Sequence, residues 1–308
     1  MITKPAEMDF SQKKYVMIIA GAPGLGKTTL ALSAPNPFLF DVDNGIERVS
    51  AEHRCVTSNV QKYEELLADM QSPEYNAAET IVIDTGGSLV QLMKDWAKKQ
   101  DKRAATNGMA MFGVIKQEFD RLTYQIRNVD KKNTVIVFHT TEQSKGDNIQ
   151  VRLSCEGSSK DIVWTPADFG AYMFIENGKR KLGFSPTEEY FAKGSYGVHG
   201  VWDVPDLSGG KKNDFLTNLF AQAGESLVNE LDVYAKDREA YAAAMEEGNA
   251  ILASIKDAET ATAAVPALRD MSHALTSKDE LVGKLRSACK ELGLTWDKGA
   301  KAYVQNNA

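Results

Sequence analysis

Cysteine is scarce and poorly spaced for cross-linking. Cys55, Cys155 and Cys289 are the only three in 308 residues; their number is odd and no Cys-x-x-Cys or Cys-x-x-His pair occurs, which excludes a disulfide framework and a sequence-encoded zinc site. Long apolar runs are missing as well. No window of about 18 apolar residues exists, and Met1-Ile2-Thr3-Lys4-Pro5 lacks the apolar stretch of a signal peptide. A cytoplasmic protein without membrane contact is the expectation. An excess of positive charge is absent too. A formal net charge of −6 argues against indiscriminate coating of nucleic acid, which is driven by clustered Lys and Arg neutralising phosphates. Any DNA contact has to be local. The basic runs Lys98-Lys99 with Lys102-Arg103, Lys131-Lys132, Lys179-Arg180-Lys181 and Lys211-Lys212 read first as solvated surface.

What is there is an ordinary globular composition, 43% hydrophobic and 25% charged, long enough for one sizeable domain and a smaller unit. Residues 1–213 are expected to form the first and residues 214–308 a helical C-terminal region. Tyr15-Val16-Met17-Ile18-Ile19-Ala20 is a continuous apolar run followed by glycines, the pattern of a central strand buried on both faces. Similar runs lie at residues 37–41, 80–84 and 133–139. Between them apolar residues recur at spacings of three and four over residues 27–33, 63–70, 88–102 and 112–129, which predicts helices. Strand alternating with helix implies a mainly parallel sheet covered on both sides.

Residues 142–160 are polar and glycine-bearing and read as a long loop. Asn177-Gly178, between apolar runs at 169–174 and 179–184, predicts a two-residue hairpin turn and so an antiparallel pair beside the parallel strands. From residue 214 onward helical runs are expected at 214–223, 226–247, 250–258 and 278–292. A break falls at residues 258–264 and Pro266, and Gly293 stops the last helix.

The chemistry is concentrated in Gly21-Ala22-Pro23-Gly24-Leu25-Gly26-Lys27-Thr28, which has the Gly-x-x-x-x-Gly-Lys-Thr spacing of a phosphate-binding loop between a buried strand and a helix. Glycines leave room for main-chain N–H groups to reach phosphate oxygens. Lys27 is expected to neutralise the β- and γ-phosphates and Thr28 to complete a Mg²⁺ shell, while Thr29 continues the helix. Asp84 ends an apolar strand, Thr80-Ile81-Val82-Ile83-Asp84, at the edge where open α/β sheets bind ligands, and can hold Mg²⁺ through water; capping of the following helix is its alternative role. Asp43, in Phe40-Asp41-Val42-Asp43-Asn44-Gly45, can orient the attacking water if its strand neighbours the phosphate-loop strand.

In order, the phosphate loop, residues 40–45, the Asp84 strand and the strand ending in His139-Thr140 resemble the RecA-like recombinase core. They are similar, more closely, to the small phage-encoded AAA-type ATP-binding proteins, a group that includes single-strand annealing recombinases. The resemblance spans about residues 13 to 205. It implies an α/β fold: a RecA-like P-loop NTPase core with a mainly parallel sheet, an antiparallel hairpin at its edge and a small helical C-terminal unit. It also implies ATP and Mg²⁺ as ligands, and an ATPase. Asp43 matches the water-activating carboxylate, where relatives usually carry Glu, so slow turnover is implied. His139 matches the γ-phosphate sensor, and Lys193 the basic residue that reaches a neighbour's nucleotide in a ring or filament. DNA-contacting loops correspond to residues 102–113 and 143–160, with Arg103, Asn107, Lys145, Arg152 and Lys160 as phosphate contacts. The implied activity is DNA recombination, single-strand annealing or replication in the host-cell cytoplasm, with single-stranded DNA, further copies of the chain and a single-strand-binding protein as partners. The residues leave two alternatives open. One is a P-loop ATPase or kinase that does not act on DNA; the other is a regulatory module that binds ATP without turnover.

Overall fold

The structure, a computed structural model, describes residues 10, 12–145, 148–155, 159–208 and 213–305. The side chains of Lys145 and Lys160, and residues Lys211 and Lys212, lie outside what it describes. The chain divides into two compact units, Asp9–Leu227 and Val228–Ala308.

In the first unit the apolar run at the start becomes β1 (Val16–Gly21), every residue of which is buried. Met17 and Ile19 enter one core and Ile18 and Ala20 the other, because successive side chains leave a strand on opposite faces. The phosphate loop leads into α1 (Lys27–Ala31). There follow β2 (Pro37–Asp41), β3 (Val56–Asn59), α2 (Tyr63–Asp69), α3 (Pro73–Ala77), β4 (Thr80–Asp84), α4 (Gly86–Gln100) and α5 (Gly108–Tyr124). The unit continues through β5 (Asn133–Lys145), β6 (Asn148–Leu153), α6 (Ser159–Trp164), β7 (Phe169–Glu176), β8 (Lys179–Gly183) and β9 (Val201–Asp203). Among the described residues the strand order is β3-β2-β4-β5-β1-β7-β8-β9, with β6 off that path, paired to β5 and bridged at Val151 to Tyr190. Pairings from β3 to β7 are parallel, while β8 and β9 run antiparallel at the edge. This is the expected fold class, with the Asn177-Gly178 turn where the sequence puts it; both residues have positive φ, 52° and 74°, as the favoured hairpin turn requires.

Two expectations are corrected. The Asp43 strand does not neighbour the phosphate-loop strand: β4 and β5 come between β2 and β1. Residues 142–160 are not a long loop, since β5 runs out to Lys145 and returns as β6, with Thr140 opposite Leu153, before α6 begins at Ser159. The polar composition that suggested a loop belongs to strands projecting beyond the main sheet, with exposed side chains at residues 141–144.

Helix α7 (Phe215–Ala253) is continuous where the sequence suggested several runs, and its Leu216, Leu219, Phe220 and Ala223 belong to the core of the first unit. In the second unit α8 (Ala258–Asp270) and α9 (Ser277–Glu291) are followed by a short hairpin, β10 (Leu294–Asp297) and β11 (Ala302–Gln305). The break expected near Pro266 is absent, because Pro266 lies inside α8. Burial of Ala261, Ala264 and Leu268 with Leu281 and Leu285 outweighs a cost of about 3 kcal/mol for an interior proline. Asp257 starts the helix by accepting the Thr260 amide at 2.8 Å.

Candidate functional site

Parallel strands point their C-terminal ends to one edge, and four of them deliver the site there. Gly21 ends β1 so close to β7 that a Cβ would lie 2.6 Å from the Met173 carbonyl oxygen. Beyond it Gly24 and Gly26 take φ of 81° and 90°, open to glycine at little cost, and at Gly26 a Cβ would also meet Leu207 at 2.8 Å. Among the described residues no acceptor engages the amides of Gly24, Leu25 and Gly26. That leaves a row of donors of the kind that cradles an anion.

A cavity of about 190 Å³ opens over this loop, lined by Pro23, Gly24, Gly26, Lys27, Thr28 and Thr29 together with Asp43, Asp84 and His139. Lys27 is only 4% exposed; its Nζ donates to the Ala22 carbonyl at 2.8 Å and lies 3.4 Å from His139 Nδ1. The Thr28 hydroxyl donates to Asp84 Oδ2 at 2.6 Å, and Asp84 is 6% exposed. Asp43 arrives although two strands separate β2 from β1. The chain after β2 turns over the end of β4, with the Val42 and Asp43 amides donating to the Asp84 carbonyl at 2.7 and 3.2 Å. One Asp43 oxygen accepts from the Ser88 hydroxyl and the other lies 3.8 Å from His139 Nε2. The second carboxylate of that segment does different work: Asp41, fully buried, accepts the Gly45 and Ile46 amides at 2.8 and 2.9 Å and fixes the turn. Thr85, not Asp84, caps α4, through the Ser88 amide.

The electrostatics are those of a site built for charged ligands. Burial holds the Lys27 ammonium below its usual range, only partly offset by Asp84. Burial raises the Asp84 carboxyl above the usual carboxylate range, opposed by the Thr28 hydrogen bond and reinforced by Asp43 and Asp41. His139 is lowered, first by burial and then by Lys27. A polyphosphate relieves the first penalty and a cation the second. The residues present therefore fit both ATP and Mg²⁺, the latter through Thr28 and Asp84.

Lys193 is not brought to this cavity. Its ammonium donates to the Ala167 carbonyl, just before β7 begins, and its backbone pairs with Gly170, so it lies toward the opposite edge of the sheet. Sequence reasoning passed over three groups that do reach the site. Ser88 holds Asp43, Arg48 lines the cavity, and Arg180 on β8 donates from Nε to the Leu25 carbonyl at 2.9 Å. Arg180 stands in a basic run and Ser88 in a helix start, and neither position carries a local signal for a phosphate site.

No curated protein shows a significant match to the chain. Among solved structures, a KaiC-like protein of Pyrococcus horikoshii is 14% identical, with 63% of this chain and 90% of that one covered and a TM-score of 0.33. The flagellar accessory protein FlaH of Methanocaldococcus jannaschii is 13% identical, with coverage of 62% and 90% and a TM-score of 0.34. Residues 13–196, which contain every residue lining the phosphate-loop cavity, match the AAA domain family. That match spans more than half of the chain, and the protein belongs to the AAA domain family of P-loop ATPases.

Proposed function

We propose that this protein binds ATP with Mg²⁺, hydrolyses it slowly, and acts on single-stranded DNA in recombination, annealing or replication, as the phage-encoded relatives it resembles do. The observation that carries the hydrolytic part is the position of Asp43: a carboxylate held by Ser88, within 3.8 Å of His139, in the same cavity as Lys27, Thr28 and Asp84. A carboxylate so held orients a water and takes its proton. Lys27 and the loop amides bind and orient the phosphates, and His139, beside both Lys27 and Asp43, responds to the terminal one. Magnesium, held by Thr28 and Asp84, neutralises phosphate charge when bound.

Support for single-stranded DNA comes from the β5–β6 hairpin, which begins beside His139. Next to it a cavity of about 280 Å³ is lined by Arg152, Trp164, Tyr172, Tyr190 and Phe191, among others. Tyr172 and Tyr190 stack with centroids 4.5 Å apart, and aromatic rings beside an arginine are the side chains on which unpaired bases stack. Arg152 stays a phosphate contact in this reading, whereas the Asn107 carbonyl is occupied in capping α5 and Arg103 pairs with Asp101. Self-assembly into a ring or filament is part of the same proposal, without the Lys193 ammonium, which is already bound to the Ala167 carbonyl. A non-hydrolysing regulatory role is the second reading, favoured by the short Asp43 side chain being already bound to Ser88.

Lys27→Ala is expected to abolish ATP binding in equilibrium titrations while leaving the circular dichroism spectrum unchanged; wild-type affinity in that variant would overturn the assignment. Fluorescence anisotropy with labelled single strands, with and without ATP across a salt series, tests the DNA arm. Binding as weak as that of an unrelated acidic protein rejects it.

A further inference from the structure

The transition state of γ-phosphoryl transfer needs positive charge beyond that of the phosphate-loop lysine, and the cations near the loop can be compared one by one. Lys27 is tied to Ala22 and His139. Arg180 spends its Nε on the Leu25 carbonyl. Lys193 is bound near the far edge of the sheet. Arg48 differs from all three. It closes the short turn Ile46–Arg48, whose start is fastened by the two amides that Asp41 accepts and whose end is anchored by buried Val49. Its amide donates to the Gly45 carbonyl at 3.0 Å. The side chain lines the cavity with Asp43, Asp84 and His139 and is close enough to His139 to disfavour its protonation. Among the described residues no carboxylate or carbonyl is bonded to its guanidinium. A single turn, fixed by Asp41, thus brings a carboxylate and a free guanidinium to one site.

We propose that Arg48 is a catalytic residue for ATP hydrolysis, supplied by the same chain that binds the nucleotide, so that turnover does not need a basic side chain from a neighbour. This rests on the hydrolytic reading above. In the step concerned, a water oxygen bonds to the γ-phosphorus and one of its protons passes to the Asp43 carboxylate and then to solvent. The bond from that phosphorus to the β–γ bridging oxygen breaks, its electron pair leaving with ADP, and inorganic phosphate is the second product. Negative charge grows on the bridging and equatorial oxygens during this exchange, and the planar fork of Arg48 is suited to receive it.

The test is single-turnover release of inorganic phosphate from ATP by the full-length wild type, Arg48→Ala, Arg48→Lys and Lys193→Ala, with ADP affinity and thermal melting measured on each. Arg48→Ala is expected to lose about 10³-fold in rate with ADP affinity and melting unchanged, Arg48→Lys to recover part of it, and Lys193→Ala to match the wild type. A wild-type rate in Arg48→Ala overturns the proposal while leaving the hydrolytic reading in place. Mixing Arg48→Ala with Lys27→Ala separates the two routes: no recovery supports supply within the chain, and restored turnover overturns it. Trapping of ADP with aluminium fluoride, which mimics the transferring phosphoryl group, gives a readout that does not require turnover. Trapping by the wild type and not by Arg48→Ala supports the role, and equal trapping or none in both rejects it. A wild type that traps but releases no phosphate overturns the hydrolytic reading alone.

Discussion

Replacing Asp41 with Ala should damage the protein out of proportion to one side chain. Asp41 is fully buried, and its two oxygens take the Gly45 and Ile46 amides at 2.8 and 2.9 Å. Alanine leaves both donors without an acceptor, at about 1–3 kcal/mol apiece and so about 2–6 kcal/mol together. In a unit of this size each kcal/mol lowers the melting temperature by about 2–4 °C, giving a fall of roughly 4–24 °C. Asp41→Asn keeps one accepting oxygen but turns an amide donor toward the other N–H, and should fall between Ala and the wild type. Differential scanning calorimetry measures the loss. ATP titration on the same samples measures its reach: Asp43 and Arg48 ride on this turn whereas Lys27 and Thr28 do not, so turnover should fall more than affinity. If Asp41→Ala melts within about 1 °C of the wild type, the turn does not depend on this carboxylate and the reasoning fails.

Two further outcomes follow from the same geometry. Gly21→Ala places a methyl 2.6 Å from a backbone carbonyl of β7, which cannot rotate away as a side chain would. A loss of about 1–3 kcal/mol is expected in urea unfolding, and an unchanged midpoint would show that the strands part easily there. His139→Gln should change the dependence of stability on pH. The folded protein holds the His139 pKa below its ordinary value, through burial and Lys27, so as pH falls through about 6.5 the unfolded chain takes up a proton first and the wild type loses stability. The glutamine variant lacks this slope. Melting curves of the two proteins that stay parallel from about pH 8 to about pH 5 would contradict it.

How much of this was legible in the sequence depended on whether the cause was local. The phosphate loop, the Asp84 strand and the Asn177-Gly178 hairpin were readable because a continuous apolar run or a turn dipeptide marks each at its own position. Sheet order was not: nothing in residues 37–41 tells that β4 and β5 will separate them from β1, and Asp43 reaches the cavity only because its backbone folds over the end of β4. Strand β3 is four residues long, without a fully buried side chain, and leaves no apolar signature. Gly248 falls between the helical runs expected at 226–247 and 250–258, yet α7 continues through it; a Cβ there would overlap Leu281 of α9, so the glycine serves close packing. Ser88, Arg48 and Arg180 escaped notice for one shared reason. Ser88 and Arg180 bond to residues of another strand or loop and Arg48 shares a cavity with Asp84 and His139, and only the folded chain brings these groups together.

The long strand β5 has a mechanical consequence. It runs from Asn133 to Lys145 without interruption, passing the phosphate-loop cavity at His139 and continuing as one arm of the β5–β6 hairpin. At about 3.3 Å per residue the arm beyond His139 is a stiff rod about 20 Å long, so a tilt of roughly 5° at its root carries the tip by roughly 2 Å. No loop interrupts the strand, so a ligand that shifted its His139 end would carry the hairpin with it, against the hydrogen bonds that tie Gln150 and Val151 to the Glu188 and Glu189 carbonyls.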